Sequence, residues 1–256
     1  MGVLNVTPDS FSDGGRFLET RLAIDQGLAM VGEGAAIIDV GGESTRPGAN
    51  PITEEEELRR ILPVVERLQQ QTGAIISVDT SRAKVIRAVA EAGATMINDV
   101  RALTQEGALE AAAATQCGLC LMHMKGEPRT MQQAPHYVDV VNEVKAFLQA
   151  RVQSCLAAGV AAERLVIDPG FGFGKTMEHN LELLRRLREL TGERPVLAGL
   201  SRKSTVGQLT GRPPDQRVHG SVALALLAVL NGASIVRVHD VAATVDALRI
   251  LAAVQG

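Results

Sequence analysis

The chain repeats a short run of apolar residues that follows a glycine and ends close to a polar side chain. Runs of this kind begin at Gly34, Gly73, Gly93, Gly118 and Gly232. Their apolar residues are nearly continuous and many are branched, as in strands of a parallel sheet buried on both faces. With three further runs, the pattern predicts eight strands, at residues 3–6, 34–40, 73–79, 93–98, 118–123, 165–168, 195–198 and 232–239.

Helical segments separate these strands. A helix is predicted from Phe17 to Gly32, and Thr53 with Glu56 forms a capping box that starts the next one. Each glycine before a strand suits the C-cap of the preceding helix. Strands that alternate with helices indicate an α/β protein, and eight such units predict a (β/α)8 TIM barrel. Because 256 residues match the length of one barrel, we expect a single catalytic domain over residues 1–256.

The composition of the chain favours small molecules over nucleic acid or membranes as binding partners. The net charge is −3, the pI is about 6.0 and basic residues are scattered, which argues against binding to nucleic acid or to an anionic membrane. Since no apolar run reaches membrane-spanning length and no export signal is evident, we expect a cytoplasmic protein with small-molecule substrates. Cys117 and Cys120 have metal or redox spacing, but Cys155 is the only other thiol, so we interpret all three as buried core residues.

Polar residues collect where the predicted strands end. They are Asn5, Asp39, Asp79, Asn98, Asp168, Lys203, Arg237 and His239. In (β/α)8 barrels the chemistry lies at the C-terminal ends of the strands and in the loops that follow. Any one of these residues could simply cap a strand end, but a complete polar rim exceeds what packing requires. The pattern therefore predicts an active site at this end.

The stretch from Leu165 to Lys175 joins a buried strand to a glycine loop. It is no phosphate-binding nucleotide loop, because Pro169 stands where the leading glycine should be, and Lys175 replaces the third glycine of a dinucleotide fingerprint. Aromatic residues are only 2% of the chain, yet Phe171 and Phe173 alternate with the glycines. We expect these rings, with Phe11 in another glycine-rich loop, to offer flat apolar surface to a ligand.

The rim residues divide into two chemical groups. Asp79, Asp168 and Asn98 suit the guanidine-like edge of a flat heterocycle, and the Lys203 ammonium suits its carbonyl or ring-nitrogen side. The second group offers donors and positive charge, and consists of Asn5, Thr45, Arg46, Arg237 and His239. Strands one, two and eight become neighbours when a barrel closes, so this group is predicted to converge on a polyanion.

Seven stretches resemble the motifs of the dihydropteroate synthase family. They are LNVTPDSFSDGG at 4–15, IDVGGESTRPG at 38–48, ISVDT at 76–80, INDV at 97–100, IDPGFGFGK at 167–175, GLSRKS at 199–204 and VRVHD at 236–240. The similarity runs from Gly2 to about Ala247 and so covers nearly the whole chain. It implies a transferase of folate biosynthesis that joins p-aminobenzoate to 6-hydroxymethyl-7,8-dihydropterin diphosphate, giving 7,8-dihydropteroate and diphosphate. It also implies Mg²⁺ as cofactor.

The resemblance assigns roles to matching positions. The pterin-binding residues would be Asp79, Asn98, Asp168 and Lys203. The diphosphate-binding residues would be Asn5, Thr45, Arg46, Arg237 and His239, with the metal at Asn5. The p-aminobenzoate pocket would consist of Phe11, Pro47, Phe173, Lys203 and Ser204. The catalytic residues would be Asn5, Asp9, Lys203, Arg237 and His239. Asp9 or Asp13 could shield a cation or collect a proton, although both suit an ordinary turn equally well.

Three other functions remain open from the residues. A pterin-binding methyltransferase would use the same heterocycle pocket, but it has no need of the diphosphate clamp formed by Arg237, His239 and Ser44 to Arg46. An aldolase-like barrel would use Lys203 as a Schiff-base nucleophile. A non-catalytic pterin carrier would not need a second substrate pocket.

Three further expectations concern the periphery. The helix over 220–230 is apolar nearly all round, so we expect its outer face to form a homodimer interface. Family members usually carry residues that seal the barrel before strand one, whereas Met1 abuts that strand, so we expect an effect on stability and none on catalysis. The remaining histidines are predicted to cap helices or lie on the surface, and they are His123, His136, His179 and His219.

Overall fold

A computed structural model describes residues 1–7, 15–43, 51–127, 130–190, 192 and 194–256, with only the backbone of residues 15–18. The strands are β1 (Gly2–Asn5), β2 (Ile37–Gly41), β3 (Ile75–Asp79), β4 (Met96–Asp99), β5 (Gly118–Met122), β6 (Leu165–Asp168), β7 (Leu197–Ala198) and β8 (Ile235–Val236). The helices are α1 (Gly15–Gly32), α2 (Glu54–Gln71), α3 (Ala83–Glu91), α4 (Ala108–Ala113), α5 (Val140–Ala157), α6 (Met177–Arg185), α7 (Ser204–Thr210), α8 (Val218–Leu230) and α9 (Val241–Gln255).

The strands close into a parallel barrel. Strands β1 to β6 pair in chain order, and β7 pairs with β8. The Ile167 amide donates to the Pro195 carbonyl over 3.0 Å and so joins β6 to the start of β7. The Val3 amide donates to the Val238 carbonyl over 3.0 Å and joins β1 to the segment after β8. These links confirm the predicted (β/α)8 TIM barrel.

Strand boundaries differ from the predicted ones at both ends. Gly34, Gly93 and Gly232 precede their strands with φ of 100°, 103° and 99°, the left-handed backbone that ends a helix and that glycine adopts without strain. The C-cap prediction is therefore confirmed at these positions, and each of the three strands begins three residues later. Strand β8 ends at Val236, so Arg237 and His239 lie beyond it, not within it as predicted.

The capping box predicted for α2 is only partly present, and a complete capping box at α6 was not predicted. The Thr53 hydroxyl accepts from the Glu56 amide over 3.2 Å, so Thr53 does cap α2. The Glu56 carboxylate instead pairs with Arg60 over 2.8 Å, which leaves the capping box incomplete. A complete box starts α6, where His179 Nδ1 accepts from the Thr176 amide over 3.2 Å. Pattern reading overlooks it, because the third position usually holds Glu or Gln.

The two faces of the strands pack differently. Outward side chains such as Ile38, Val40 and Val78 are fully buried in a large core between barrel and helices. Inward side chains at the lower end, where the strands begin, form a separate apolar layer. Its buried members are Ile37, Met96, Cys120 and Leu197. Cys117 and Cys155 are buried free thiols as well, which confirms the interpretation of the cysteines as core residues.

Helix α8 extends the predicted helix by two residues at its start. Leu227 remains 46% exposed and Leu230 39% exposed. On α9, which packs against α8, Ile250 is 67% and Val254 is 79% exposed. No helix in the described part of the chain is long and apolar enough to cross a membrane.

Candidate active site

Three acceptor side chains stand together at the upper end of the barrel, where the strands end. Asp79 on β3 pairs in register with Asn98 on β4, and Asp168 ends β6. Asn98 and Asp168 are buried, and Asp79 is nearly so. Because Lys203 follows β7 and Arg237 follows β8, parallel strands bring both cations to the same end. The structure thus brings together residues that lie up to 158 positions apart in the chain.

A buried hydrogen-bond network links these groups from below. Arg237 Nε donates to Asp39 Oδ2 over 2.6 Å, and its Nη2 donates to Asp79 Oδ2 over 3.3 Å. The Asn98 amide nitrogen donates to the same Asp39 oxygen over 3.1 Å. Asp39 Oδ1 accepts from Ser77 Oγ over 2.6 Å. One carboxylate therefore connects groups from β3, β4 and the end of β8.

The network leaves Asn98 with an unused acceptor. Asn98 Oδ1 is buried and has no hydrogen-bond partner among the described residues. Buried polar atoms are nearly always paired, and an orphan at the mouth of a barrel is accounted for by a ligand that donates to it. The Asn98 oxygen is therefore the clearest marker of a binding site in this structure.

Burial and neighbouring charges set the protonation of the site. Burial raises the pKa of Asp79, and the nearby Asp39 carboxylate raises it further. Burial also raises the pKa of Asp168, against the lowering effect of Lys203. Burial lowers the pKa of Lys203 to about 8, although Asp168 opposes this. The site holds charges that a ligand with matching donors and acceptors would stabilise.

Lys203 sits between the glycine loop and helix α7. It is the N-cap residue of α7, and its Nζ lies 4.7 Å from the centre of the Phe173 ring, within cation–π range. Lys203 Nζ also donates to the Phe171 carbonyl. Phe173 is half-buried, and Ser204 is exposed at the first position of α7. Phe173, Lys203 and Ser204 therefore form one wall beside the acceptor group.

Comparisons with known proteins show the family of the chain and confirm its fold. A family model described as pterin binding enzyme matches residues 1–239, which contain all the acceptors and cations above. The chain belongs to this family. The dihydropteroate synthase of Escherichia coli (strain K12) is 53% identical over 254 residues, which cover 99% of this chain and 90% of that protein. The predicted family is therefore confirmed.

Solved structures of this pterin-binding family superpose on the whole barrel. The Xanthomonas albilineans dihydropteroate synthase with 4-aminobenzoic acid has a TM-score of 0.95 at 55% identity, covering 100% of this chain and 92% of that one. The same organism's enzyme in complex with 7,8-dihydropteroate has a TM-score of 0.92 at 52% identity, covering 100% and 93%. A Yersinia pestis dihydropteroate synthase with a sulfonamide drug complex has a TM-score of 0.95 at 53% identity, covering 100% and 93%.

The glycine loop of this pterin-binding enzyme folds back tightly on the barrel. A Cβ on Gly170 would stand 1.9 Å from the His123 carbonyl oxygen, and one on Gly174 would stand 2.3 Å from the Lys125 carbonyl oxygen. The reversal drives Phe171 inward, where it is fully buried in the main core. The expectation that Phe171 offers surface to a ligand is therefore wrong, because the left-handed backbone of Gly170 and Gly172 turns the two rings to different sides of the loop.

A buried lysine holds this loop, and sequence reasoning missed it. Lys175 Nζ donates to the Gly170 and Phe173 carbonyls over 2.9 and 3.0 Å and lies 3.0 Å from His123 Nδ1. Burial lowers the pKa of Lys175, and it lowers the pKa of His123 to about 3. In the sequence analysis, Lys175 was used only as evidence against a dinucleotide-binding fingerprint. The signal that could have found it was a lysine directly after a turn rich in glycine, where backbone carbonyls are available to an ammonium group.

The histidines have mixed outcomes. His123 is 5% exposed, so the prediction of a capping or surface role is wrong for it. His179 caps α6 as predicted, and His136 and His219 are exposed as predicted. The His239 amide donates to Ser201 Oγ over 3.2 Å, and its Nδ1 lies 3.1 Å from the same atom. Ser201 therefore orients His239, although sequence reasoning assigned it no role.

The predicted metal-binding residue, Asn5, lies at the upper end of β1. Asn5 ends β1 and is partly exposed, with a carbonyl oxygen of the hard type that Mg²⁺ prefers. No group of three or more His, Cys, Asp or Glu that could enclose a metal occurs in the described ranges. Asn5 thus fits a Mg²⁺ ion that takes most ligands from substrate oxygens and water. The other predicted residues lie outside the described part of the chain, and they are Asp9, Phe11, Asp13, Ser44, Thr45, Arg46 and Pro47.

Proposed function

We propose that this protein, acting in the cytoplasm, condenses p-aminobenzoate with 6-hydroxymethyl-7,8-dihydropterin diphosphate to give 7,8-dihydropteroate and diphosphate. The observation that carries the proposal is the buried, unpartnered Asn98 oxygen between Asp79 and Asp168. It lies in a barrel that superposes on a dihydropteroate synthase in complex with 7,8-dihydropteroate. The activity makes the protein a transferase of folate biosynthesis that forms a carbon–nitrogen bond.

The pterin ring binds to the acceptor group at the upper end. Its amino and ring N–H groups donate to Asp79, Asn98 Oδ1 and Asp168, since a carboxylate can take paired N–H bonds from a guanidine-like edge. The Lys203 ammonium donates to the carbonyl or ring-nitrogen side. This arrangement satisfies the orphaned acceptor, and an unsatisfied buried acceptor costs about 1–3 kcal/mol.

The diphosphate binds on the side of β1, β2 and β8. Arg237 and His239 supply positive charge there, and Asn5, Thr45 and Arg46 complete the set. Asn5 would hold Mg²⁺, which when bound would supply further neutralisation of the charge on the leaving group. Arg237 has two N–H donors engaged with Asp39 and Asp79, and its other three face no acceptor among the described residues.

The chemistry starts with the departure of diphosphate. The bond between the pterin methylene carbon and the diphosphate oxygen breaks, and the oxygen keeps the electron pair. Arg237 and His239 hold the negative charge that grows on the leaving group, which lowers the barrier. The methylene left behind is a cation that the electron-rich pterin ring delocalises.

The second substrate attacks this carbon. The nitrogen of p-aminobenzoate forms the new bond and then loses a proton, for which Asp9 and Asp13 are the candidate acceptors. An aromatic amine is already neutral at pH 7, so orientation matters more than activation by a base. Phe173, Lys203 and Ser204 provide one wall of the slot, and the resemblance assigns Phe11 and Pro47 to the same pocket.

The direct test is diphosphate release. Purified protein is mixed with the pterin diphosphate, Mg²⁺ and increasing p-aminobenzoate, and diphosphate and dihydropteroate are both measured. We expect the two products in equal amounts, with release dependent on p-aminobenzoate. A Glu110→Gln variant, changed at an exposed position of α4, serves as the matched control and should retain full activity. Release without p-aminobenzoate, or no release, would contradict the proposal.

We also propose a homodimer formed through α8 and α9. The exposed apolar side chains Leu227, Leu230, Ile250 and Val254 support it, because solvent-facing apolar patches are uncommon on monomers. Sedimentation of the wild-type protein should give a dimer, and Leu227→Lys should shift it toward monomer. A wild-type monomer over the concentrations tested would contradict the proposal.

A further inference from the structure

Asp39 is a buried carboxylate that lies one layer beneath the acceptor group. It pairs in register with Ser77, whereas Gly41, two residues further along β2, pairs with Asp79. Asp39 is fully buried, and the apolar layer that contains Ile37 lies one step below. The sequence placed Asp39 on the rim, but the structure places it under the floor of the pocket.

Three polar groups donate to this carboxylate. Asp39 Oδ1 accepts from Ser77 Oγ over 2.6 Å, and Oδ2 accepts from Asn98 Nδ2 over 3.1 Å and from Arg237 Nε over 2.6 Å. A carboxylate has about four lone-pair sites, so one group can serve all three donors. Asp39 therefore contacts both a proposed pterin-binding residue, Asn98, and a proposed diphosphate-binding residue, Arg237.

The contact with Asn98 determines which end of the amide faces the ligand. Asp39 offers acceptors only, so the Asn98 nitrogen turns toward it and Oδ1 turns away. An amide rotated by half a turn would place two acceptors against each other and would waste the donor. The orphaned state of Asn98 Oδ1 follows directly from this choice.

The contact with Arg237 fixes the guanidinium in the same way. A charge-assisted hydrogen bond of 2.6 Å anchors Nε from below, and the bond from Nη2 to Asp79 fixes the plane. A planar group held at two nitrogens presents its remaining donors in a set direction.

Stability alone does not account for a carboxylate at this position. Replacing a buried ion pair by apolar side chains of similar volume is often neutral or stabilising. The position is surrounded on its lower side by an apolar layer in which an aliphatic side chain would pack well. A function in the site above is the better explanation.

We propose that Asp39 is a positioning residue that fixes the Asn98 amide and the Arg237 guanidinium together, and so couples the pterin and diphosphate subsites. This inference rests on the proposed function for the identity of the two ligands. Asp39 acts through Asn98 and Arg237. Ser77 supports Asp39 in this role, because its hydroxyl donates to Asp39 Oδ1.

The decisive test is a double-mutant cycle on pterin affinity. Binding of 6-hydroxymethylpterin is titrated calorimetrically into wild type, Asp39→Ala, Asn98→Ala and the double variant. Asp39→Ala should weaken binding on the order of tenfold or more, because the amide is no longer oriented. In the Asn98→Ala background the same change should cost less than about twofold, because the residue acts through that amide. Equal losses in both backgrounds, or no loss in wild type, would overturn the inference.

A conservative variant separates positioning from folding. In Asp39→Asn the amide oxygen can still accept from Asn98 and Arg237 while its nitrogen donates to Ser77 Oγ. Pterin affinity should therefore stay within about threefold of wild type. If Asp39→Ala does not fold, Asp39→Leu, of larger apolar volume, replaces it in the cycle. A loss for Asp39→Asn as large as that for Ala or Leu would contradict positioning by hydrogen bonds.

A second readout addresses Arg237. Asp39→Leu should lower kcat in wild type and much less in the Arg237→Ala background, and Glu110→Gln should change neither binding nor kcat. An equal fall in kcat in both backgrounds would overturn the inference that Asp39 positions Arg237. Since pterin binding is measured without turnover, a protein that binds the pterin but releases no diphosphate would contradict the proposed function and leave the inference about Asn98 standing. Failure of wild type to bind the pterin would overturn both.

Discussion

The two ends of the barrel interior are built on the same strands and differ completely in chemistry. At the lower end the inward side chains are apolar, and at the upper end they are acceptors. On β4 the step from Met96 to Asn98 crosses from one end to the other, and on β6 so does the step from Val166 to Asp168. A distance of two residues along a strand therefore separates packing from binding.

The difference teaches where stability and function reside. The lower layer removes apolar surface from water and holds no ionisable carboxylate. The upper layer buries carboxylates whose pKa values are raised, so their charged forms are disfavoured in the folded protein. The upper end thus lowers stability at neutral pH, and a bound ligand would restore it. Four predictions test this division, from the largest expected effect to the smallest.

Met96→Ala should lower the free energy of unfolding by about 2–5 kcal/mol, because it opens a cavity in the lower layer. Pterin affinity should stay within about twofold, since Met96 lies a full layer below the acceptors. Denaturant unfolding and calorimetric titration measure the two quantities. A large loss of affinity with unchanged stability would reverse the assignment of the two ends.

Asp168→Asn should weaken pterin binding by about 2 kcal/mol or more, because the amide presents a donor toward ligand N–H groups. The variant should not lose stability at neutral pH. The sign follows from the pKa of Asp168: burial raises it above the unfolded value, so the folded protein carries a penalty that grows as pH rises from the unfolded pKa to the folded pKa and stays constant above it, and removing the charge removes this penalty. Titration with a pterin measures the affinity, and unchanged binding would contradict the role of Asp168 as a pterin-binding residue.

Arg237→Ala and His239→Ala should lower kcat on the order of tenfold to a hundredfold, because the charge they hold grows as diphosphate leaves. Pterin affinity should change less. Steady-state kinetics with both substrates separates the two effects. A change confined to KM would mean that these residues bind the ground state and the transition state equally well.

The smallest expected effect is on pH dependence. Burial lowers the pKa of Lys203 to about 8, and a ligand that accepts from the ammonium binds only the protonated form. Pterin affinity should therefore fall as pH rises through about 8, by up to tenfold per pH unit. The contribution of Lys203 to stability has the opposite sign, since the unfolded chain holds the extra proton above that pH. Affinity that is flat from pH 7 to 10 would contradict the role of Lys203.

The sequence predicted the outer face of the barrel and the residue types of the rim. Continuous apolar runs such as Leu119 to Met122 give the strands, and their ends mark the polar group, because these signals are local. The partners of Asp39 were not predictable, since Ser77, Asn98 and Arg237 come together only when the barrel closes.

Loop geometry was also beyond the sequence. Phe171 and Phe173 are equivalent by pattern, yet one is in the core and the other lies beside Lys203. The left-handed φ angles of Gly170, Gly172 and Gly174 decide this, and a glycine does not reveal its own φ. Lys175 and His123 form a buried pair for the same reason, because the loop returns to β5 only in three dimensions.

The most direct test of the division between the two ends is the rise in Tm caused by saturating pterin, measured in wild type, Met96→Ala and Asp168→Asn. A ligand that binds only the folded protein stabilises it by RT ln(1 + [L]/Kd), so at one ligand concentration a tighter complex gives a larger rise in Tm. The predicted result is a lower starting Tm but a full pterin-induced rise for Met96→Ala, and an unchanged or higher starting Tm with no rise for Asp168→Asn. A full rise in Asp168→Asn, or its loss in Met96→Ala, would contradict the account.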